Sequence, residues 1–500
     1  MSYSIEKITQ VVSAERYGDT AASISFLLTD SRSLCFPEET LFFALHTDRN
    51  DGHHYIPELY RRGVRNFVVE NVPNNFSDLY KHANFLKVGN TLAAFQQLAT
   101  FHRKAFNIPI VGITGSNGKT MVKEWLSQLF SYDMNVTRSP KSYNSQIGVP
   151  LSLWLLNENS QIGLIEAGIS KVGEMQALHD IIMPTVGVLT SIGTAHQENF
   201  SSLKEKCNEK LLLFKGTQAL IYRIDDKIAA NCVAETCYDG ELLAWSEHDT
   251  TAAFYVERIE KSNTTSTIHY IWKHSTHGNF ILPFIDDASI SNCITCAVVA
   301  LYFGMQPEVL AQRMAKLEPV AMRLEVKEGQ HGCTLINDSY NSDINSLNIA
   351  LDFMNRRPDQ KHRERTLILS DIYQSGETEE QLYAEVAVMV KERGIKKFIG
   401  VGKALNRQKQ AFGSLKDKFF FENTADFIES NVFKTLHNEV ILLKGARVFD
   451  FDKLTELLVK KVHETVLEVN LNAVISNLNW YRSFLKPETK LVCMIKADAY

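Results

Sequence analysis

The chain has 500 residues, 45% hydrophobic and 22% charged, an ordinary globular composition that excludes a disordered or fibrous protein. That length exceeds what one core usually holds, so about three or four domains are expected. A formal net charge of -5 gives no electrostatic case for nucleic acid as the main partner, and any anionic substrate must be met by local lysines and backbone N–H groups.

The opening Met1-Ser2-Tyr3-Ser4-Ile5-Glu6-Lys7 lacks the apolar stretch of a signal peptide. The longest apolar run, Cys293 to Phe303, is too short to span a bilayer, so no membrane insertion is expected. Eight cysteines in a chain of this length do not resemble a disulfide framework. A cytoplasmic, reduced protein is the expectation.

Residues 1–106 mix short β-rich runs, Leu41 to Leu45 and Asn66 to Val69, with a helical stretch from Thr91 to Phe106, which predicts a small α/β unit. After Pro109 the text changes to Ile110-Val111-Gly112-Ile113-Thr114, a continuous apolar run typical of a fully buried strand. Gly115-Ser116-Asn117-Gly118-Lys119-Thr120 follows as a glycine-rich turn. A helix then carries Val122, Trp125, Leu126, Leu129 and Phe130 on one face. This strand, loop and helix start is the setting a phosphate loop needs. Its glycines let backbone N–H groups converge on phosphate oxygens, Lys119 can reach the β- and γ-phosphates, and the Thr120 hydroxyl can hold Mg²⁺. The longer G-x-x-x-x-G-K-[ST] pattern is not met, because Ile113 stands where its first glycine belongs.

Apolar runs recur at Ile162 to Ile165, Val186 to Leu189 and Ala219 to Tyr222, with helical stretches between them, which predicts a largely parallel, doubly wound sheet over residues 107–318. Glu166 closes the first of these runs, where open parallel sheets place their ligands, and a carboxylate there can take Mg²⁺. His196 follows the second run, and Lys210 lies on a charged helix beginning near Ser202. From the residues alone Lys210 reads as solvated surface and His196 as a structural histidine. Residues 253–283 alternate, as in Thr267-Ile268-His269-Tyr270-Ile271-Trp272, and predict added antiparallel strands. Cys293 and Cys296 form a lone C-x-x-C that reads as part of a buried helix.

A third α/β unit is predicted over 319–461, with strands at Thr334 to Ile336, Thr366 to Leu369, Lys397 to Ile399 and Val440 to Leu443 and a helix from Asp452 to Val462. Gly400-Val401-Gly402-Lys403-Ala404-Leu405 starts like a dinucleotide fingerprint but lacks the third glycine and reads as a tight turn. Residues 462–500 hold one further strand, Val466 to Leu471, a helix, and a run from Lys490 to Ile495.

Taken together these motifs resemble the Mur ligases, which build the peptide stem of peptidoglycan. Gly115 to Thr120 is similar to the family's G-[TS]-x-G-K-[TS]. Asn144-Ser145-Gln146-Ile147-Gly148-Val149-Pro150 matches N-x-x-I-G-x-P, and Glu166-Ala167-Gly168 matches E-x-G. His196 and Lys210 match a histidine followed fourteen residues later by lysine. Asn292 stands at the helix start beside adenine, although Ala288-Ser289 replace the usual His-Asn, and Arg323 falls at the arginine opening the third domain. The likeness is greatest to the members that join D-alanyl-D-alanine to UDP-N-acetylmuramoyl-tripeptide. Asp338-Ser339-Tyr340-Asn341 reproduces their D-S-Y-N, Thr29-Asp30-Ser31-Arg32 and Asp51-Gly52-His53 match their first domain, and Lys444-Gly445-Ala446-Arg447 matches K-G-S-R with alanine for serine.

The resemblance implies a three-domain α/β ligase: a small N-domain for the uridine nucleotide, a central P-loop domain with a parallel sheet, and a Rossmann-like C-domain. It implies ATP bound by Gly115, Ser116, Asn117, Gly118, Lys119, Thr120, Asn292, Arg323 and Asp338. Substrate would meet Ser31, Arg32, Asn144, Asp338 and Asn341. Mg²⁺ would be held by Thr120, Glu166, His196 and a carbamylated Lys210, with Lys119, Glu166, His196 and Lys210 in catalysis and a monomeric ligase. The segment 462–500, ending Met494-Ile495-Lys496-Ala497-Asp498-Ala499-Tyr500, resembles the opening of alanine racemase. That implies an incomplete start of a TIM barrel, which needs about 250 residues. In a complete, dimeric racemase domain of a longer protein Lys496 would carry pyridoxal phosphate. The alternatives are another Mur or folylpolyglutamate-type amide ligase, a P-loop switch that binds nucleotide without ligation, and a racemase carrying an inactive ligase-like scaffold.

Overall fold

The structure, a computed structural model, describes residues 1–47, 50–193, 199–320, 324–339, 342–356, 363–373, 378–460 and positions 481, 484, 485 and 489. Of the residues singled out above, His196, Arg323, Asn341 and Lys496 lie outside them, as do the racemase-like runs from Val466 to Leu471 and from Lys490 to Ile495. The chain divides into a unit containing Met1–Phe95 and a unit Gln96–Lys461.

The first unit is built on a five-stranded sheet in the order Glu15–Tyr17, Asn84–Lys87, Asn66–Val69, Thr40–Phe43, Phe26–Leu28. Only the first pairing is antiparallel. Thr40–Phe43 and Asn66–Val69, inside the sheet, are buried throughout because they are covered on both faces, and Phe42, Phe67 and Phe85 pack into one core. Asn84 and Asn66 are buried within that sheet, and the Asn84 amide donates to the Asn66 carbonyl oxygen at 2.8 Å.

The second unit holds two sheets. The larger has nine strands in the order Val136–Arg138, Ile162–Glu166, Ile110–Thr114, Val186–Leu189, Ala219–Arg223, Glu241–Ser246, Phe254–Lys261, Ser266–Trp272, Thr276–Leu282. Every pairing up to Phe254–Lys261 is parallel, and the last two are antiparallel, as the alternation over 253–283 predicts. Ile110–Thr114, first in the chain, sits between Ile162–Glu166 and Val186–Leu189, so strand order reverses around it. A crevice opens beyond the carboxyl ends of strands at such a switch point. Val136–Arg138 and Glu241–Ser246 were not anticipated: the first is short and half-buried, and the second begins with exposed residues.

One core lies between the sheet and the helices Lys119–Phe130 and Asp287–Tyr302; the other lies on the opposite face. The helical periodicity from Val122 to Phe130 is explained, since all five apolar residues are buried. Cys293 and Cys296 are fully buried in Asp287–Tyr302, and burial pushes both thiols up, which fits a packing role.

The smaller sheet has six strands in the order Glu325–Glu328, Thr334–Asp338, Glu439–Lys444, Glu364–Ser370, Lys397–Val401, Asp417–Phe421, with only the first pairing antiparallel. The four apolar strands stand where expected; the two edge strands, partly exposed and more polar, were missed. At the Gly402 turn the Asp371 carboxylate accepts hydrogen bonds from the backbone N–H groups of Ala404 and Leu405, at 3.1 and 2.8 Å. Those donors would face a pyrophosphate in a dinucleotide site, and here the protein's own side chain takes them. Among the described residues no helix is long and apolar enough to cross a membrane.

Candidate functional site

The turn after Ile110–Thr114 can fold only with glycine at its ends. Gly115 has φ +148° and Gly118 φ +89°, and a Cβ on either would collide with the Thr190 hydroxyl or the Asn292 amide oxygen. The turn is tied to the end of the neighbouring Val186–Leu189 strand. Ser116 N donates to Ser191 O at 2.7 Å, Gly193 N donates to Ser116 Oγ at 2.9 Å, and the Thr190 hydroxyl donates to Asn117 O at 2.5 Å. The loop is therefore fastened to the end of that strand. Asn292, from the first turns of Asp287–Tyr302, lies against Gly118, so one expected adenine-side residue does border the loop.

Lys119 folds back over the turn, its ammonium donating to Gly115 O at 2.7 Å and Ser116 O at 3.1 Å. Thr120 Oγ1 stands 3.2 Å from Glu166 Oε2 and 3.0 Å from Ser142 Oγ. Glu166 is fully buried at the carboxyl end of its strand. Its other oxygen, Oε1, lies 3.1 Å from the ammonium of Lys123, which is also fully buried. A helix start and a neighbouring strand end thus bring a hydroxyl and a carboxylate together, the oxygen donors a hard divalent cation takes. Among the described residues no group of three or more histidine, cysteine, aspartate or glutamate side chains converges. A cation here would accordingly rest on Thr120 and Glu166, completed by phosphate oxygens, and this donor set fits Mg²⁺, which is usually bound through one or two carboxylates plus phosphates.

Lys210 corrects the reading of a solvated surface lysine. It is 2% exposed, and its amine donates to the same Gly115 carbonyl at 3.2 Å. Burial, followed by the charges of Lys119 and Lys206, holds its pKa well below the ordinary lysine value. Lys206, one helical turn earlier, was not anticipated. It is 1% exposed, donates to Gly193 O at 2.7 Å, and burial lowers its pKa to about 8 against the opposing pull of Asp343. The helix Leu203–Leu211 is presented by Glu209, whose Oε1 accepts from Gly173 N and Met175 N at the start of the preceding helix, Glu174–Ile182, at 2.9 and 3.0 Å. Its charged sequence looks solvated, yet one face carries Lys206, Cys207 and Lys210 inward.

Asn144 packs on Gly168 of the Glu166-Ala167-Gly168 segment, whose N–H donates to Asn144 O at 2.8 Å. Asp338 ends a strand of the smaller sheet, buried and paired with the fully buried Lys444 at 2.6 Å, so the D-S-Y-N and K-G-A-R segments meet directly. Among the described residues no hydrogen bond joins Asp338 to the phosphate loop. In the other unit, Arg32 is exposed and pairs with Asp30 at 2.7 Å, which holds the Asp30 carboxyl below its usual range, and Ser31 begins the same short turn. Lys123, Lys206, Ser142 and Thr190 are the site residues that sequence reasoning missed.

Residues 113–300 match the Mur ligase middle domain. The chain is 28% identical over 382 residues to the UDP-N-acetylmuramoyl-tripeptide–D-alanyl-D-alanine ligase of Bacillus subtilis, covering 75% of this chain and 79% of that protein. Its fold superposes on MurF from Acinetobacter baumannii with a TM-score of 0.77 at 20% identity, covering 91% of this chain and 99% of the other. MurF ligase from Thermotoga maritima, solved in complex with ADP, superposes with a TM-score of 0.69 at 19% identity, covering 86% and 96%. The architecture is that of the Mur ligases, an α/β multidomain fold with parallel sheets.

Proposed function

We propose that the chain is an ATP-dependent Mur ligase that joins D-alanyl-D-alanine to UDP-N-acetylmuramoyl-tripeptide. The single observation that carries this reading is the meeting of Lys119, the Thr120–Glu166 pair and the buried amine of Lys210 around one loop at the sheet's switch point. The likeness to relatives that bear this ligase's name supports the choice of substrates.

The chemistry the site suits is phosphoryl transfer followed by acyl transfer. An oxygen of the tripeptide carboxylate attacks the γ-phosphorus of ATP, the bond to the β-γ bridging oxygen breaks, and ADP leaves. The amine of D-alanyl-D-alanine then attacks the activated carbonyl carbon, phosphate departs with the acyl–oxygen electron pair, and the amine proton passes to a base. Phosphoryl transfer of this kind depends on positioning and charge compensation more than on covalent help from the protein. Lys119 would follow the charge on the transferred group, and the loop N–H groups would hold the phosphates. Mg²⁺, when bound at Thr120 and Glu166, would offset charge on the phosphate oxygens. The depressed pKa of Lys210 supports carbamylation: its neutral amine can add to the carbon of CO₂ and lose a proton, turning a group that repels cations into a carboxylate-like ligand. His196, Arg323 and Asn341 complete the proposed set on sequence resemblance, as do Ser31, Arg32, Asn144 and Asp338 for the substrate. The finer reading of 462–500, with Lys496 as the pyridoxal phosphate lysine of a longer racemase, rests on sequence resemblance alone; alanine racemisation by such a longer protein tests it.

The direct test incubates the chain with ATP, Mg²⁺, UDP-linked tripeptide and D-alanyl-D-alanine, omitting each in turn, and reads product mass and ADP release. The expected result is amide product and ADP only when all are present. ATP turnover that ignored both peptide substrates would overturn the proposal, and product with a different acceptor would reassign it to another amide ligase.

A further inference from the structure

The ammonium of Lys123 is fully enclosed beside the phosphate loop, and the proposed chemistry leaves it without a task. It is 0% exposed and lies one turn beyond Lys119 on the helix Lys119–Phe130. Four oxygens surround it: the Ser139 carbonyl at 2.8 Å, the Lys141 carbonyl, Glu124 Oε1 at 2.8 Å and Glu166 Oε1 at 3.1 Å. A buried lysine is costly unless so compensated, so this arrangement is built rather than incidental.

Its partners converge on Glu166. Ser139 Oγ accepts from Glu166 N at 3.1 Å, and Ser142, in the segment whose carbonyls Lys123 grips, stands 3.0 Å from Thr120 Oγ1. Lys123 therefore fastens residues 139–142 to the glutamate and pins one carboxylate oxygen while the other faces Thr120 at 3.2 Å. Among the described residues Glu166 Oε1 has no hydrogen-bond partner and is held by the Lys123 ion pair, so without Lys123 the carboxylate could rotate or offer both oxygens to one cation.

We infer that Lys123 is a positioning residue that occupies Glu166 Oε1, leaves Oε2 alone for the metal, and so makes the site select a small cation bound through one carboxylate oxygen. This rests on Glu166 serving as a metal ligand. Mg²⁺ demands near-octahedral geometry with few protein ligands, whereas Ca²⁺ readily takes a bidentate carboxylate and a larger shell. Deleting the ammonium has opposing effects on affinity as such: it removes a repelling charge, and it frees the carboxylate from its orientation. The preference between the two cations is the quantity that isolates positioning.

The test measures binding of a non-hydrolysable ATP analogue to the full chain by calorimetry, with Mg²⁺ or Ca²⁺ alone as the added cation. Lys123→Met should lower the Mg²⁺-over-Ca²⁺ preference about tenfold, the scale on which outer-shell partners act, with little change in metal-free analogue binding. Glu124→Gln, which removes a Lys123 partner but leaves the Glu166 contact, should keep the wild-type preference even if it melts earlier. Should Lys123→Met not fold, Lys123→Gln takes its place, with the same shift expected. A folded variant with the wild-type cation preference would overturn the inference, as would failure of both variants to fold even at saturating Mg²⁺, which would make Lys123 structural. None of these readouts needs a peptide substrate, so a negative ligase assay and a failed positioning role remain separate results.

Discussion

Replacing Lys210 with methionine should abolish ligation while leaving the fold as stable as before or more so. The side chain is 2% exposed, and burial together with the Lys119 and Lys206 charges depresses its pKa. Its proton is thus held less tightly in the folded than in the unfolded chain. Each pKa unit between the two states removes about 1.4 kcal/mol of stability at neutral pH. The penalty is absent above the unfolded pKa, grows as pH falls through it, and is constant below the folded value. Against it stands one hydrogen bond to Gly115 O at 3.2 Å, worth roughly 1 kcal/mol, on a carbonyl that Lys119 also serves. Methionine nearly conserves the volume, so repacking should cost under about 1.5 kcal/mol. The balance is no net loss of stability near neutral pH. Urea denaturation in CO₂-free buffer near neutral pH, at matched m-values, reads it, and product mass reads ligation. Adding bicarbonate should raise wild-type turnover and leave K210M inert. A variant more than about 1 kcal/mol less stable than wild type, or one turning over within about tenfold of it, would refute the reasoning.

Glu166→Gln keeps the shape but takes one of two carboxylates from Lys123, so a loss of about 1–3 kcal/mol in stability and of roughly a hundredfold or more in turnover is expected, read by urea denaturation and product formation. Gly118→Ala forces an L-residue to φ +89° against Asn292; the strain of about 1–2 kcal/mol should weaken ATP-analogue binding roughly tenfold, measured by calorimetry. His102 is buried, which lowers its pKa to about 4 although a Leu156 carbonyl contact opposes this. Its folded pKa lies below the unfolded value near 6.5, so stability should fall as pH drops from there towards 4, and His102→Phe should flatten that slope in urea titrations.

Much of this was legible from the residues. The phosphate loop could be read because its strand is wholly apolar, its turn needs glycine at two places, and its helix repeats at helical spacing. Glu166 could be read because it closes a strand beside that loop. The lysines could not. Lys123 and Lys210 both sit on helices whose text is mixed or charged, and each is buried by contacts that register only in three dimensions: Lys123 by Ser139, Lys141 and Glu166, Lys210 by the carbonyl of Gly115. Family likeness pointed to Lys210, and nothing pointed to Lys123. The missed strands, Val136–Arg138, Glu241–Ser246, Glu325–Glu328 and Asp417–Phe421, are short, half-exposed or polar, so their β character comes from a neighbouring ladder rather than from their own composition.

The turns at Gly115–Thr120 and at Gly402 both lead from a parallel strand into a helix, yet they are not interchangeable. At Gly402 the Asp371 carboxylate already caps the N–H groups of Ala404 and Leu405, acting as a tethered stopper. A soluble polyphosphate would have to evict a charged group there, whereas at Gly115–Thr120 the amines of Lys119 and Lys210 stand on the loop's own carbonyls. Any attempt to graft a second nucleotide pocket onto the smaller sheet would have to begin by removing Asp371.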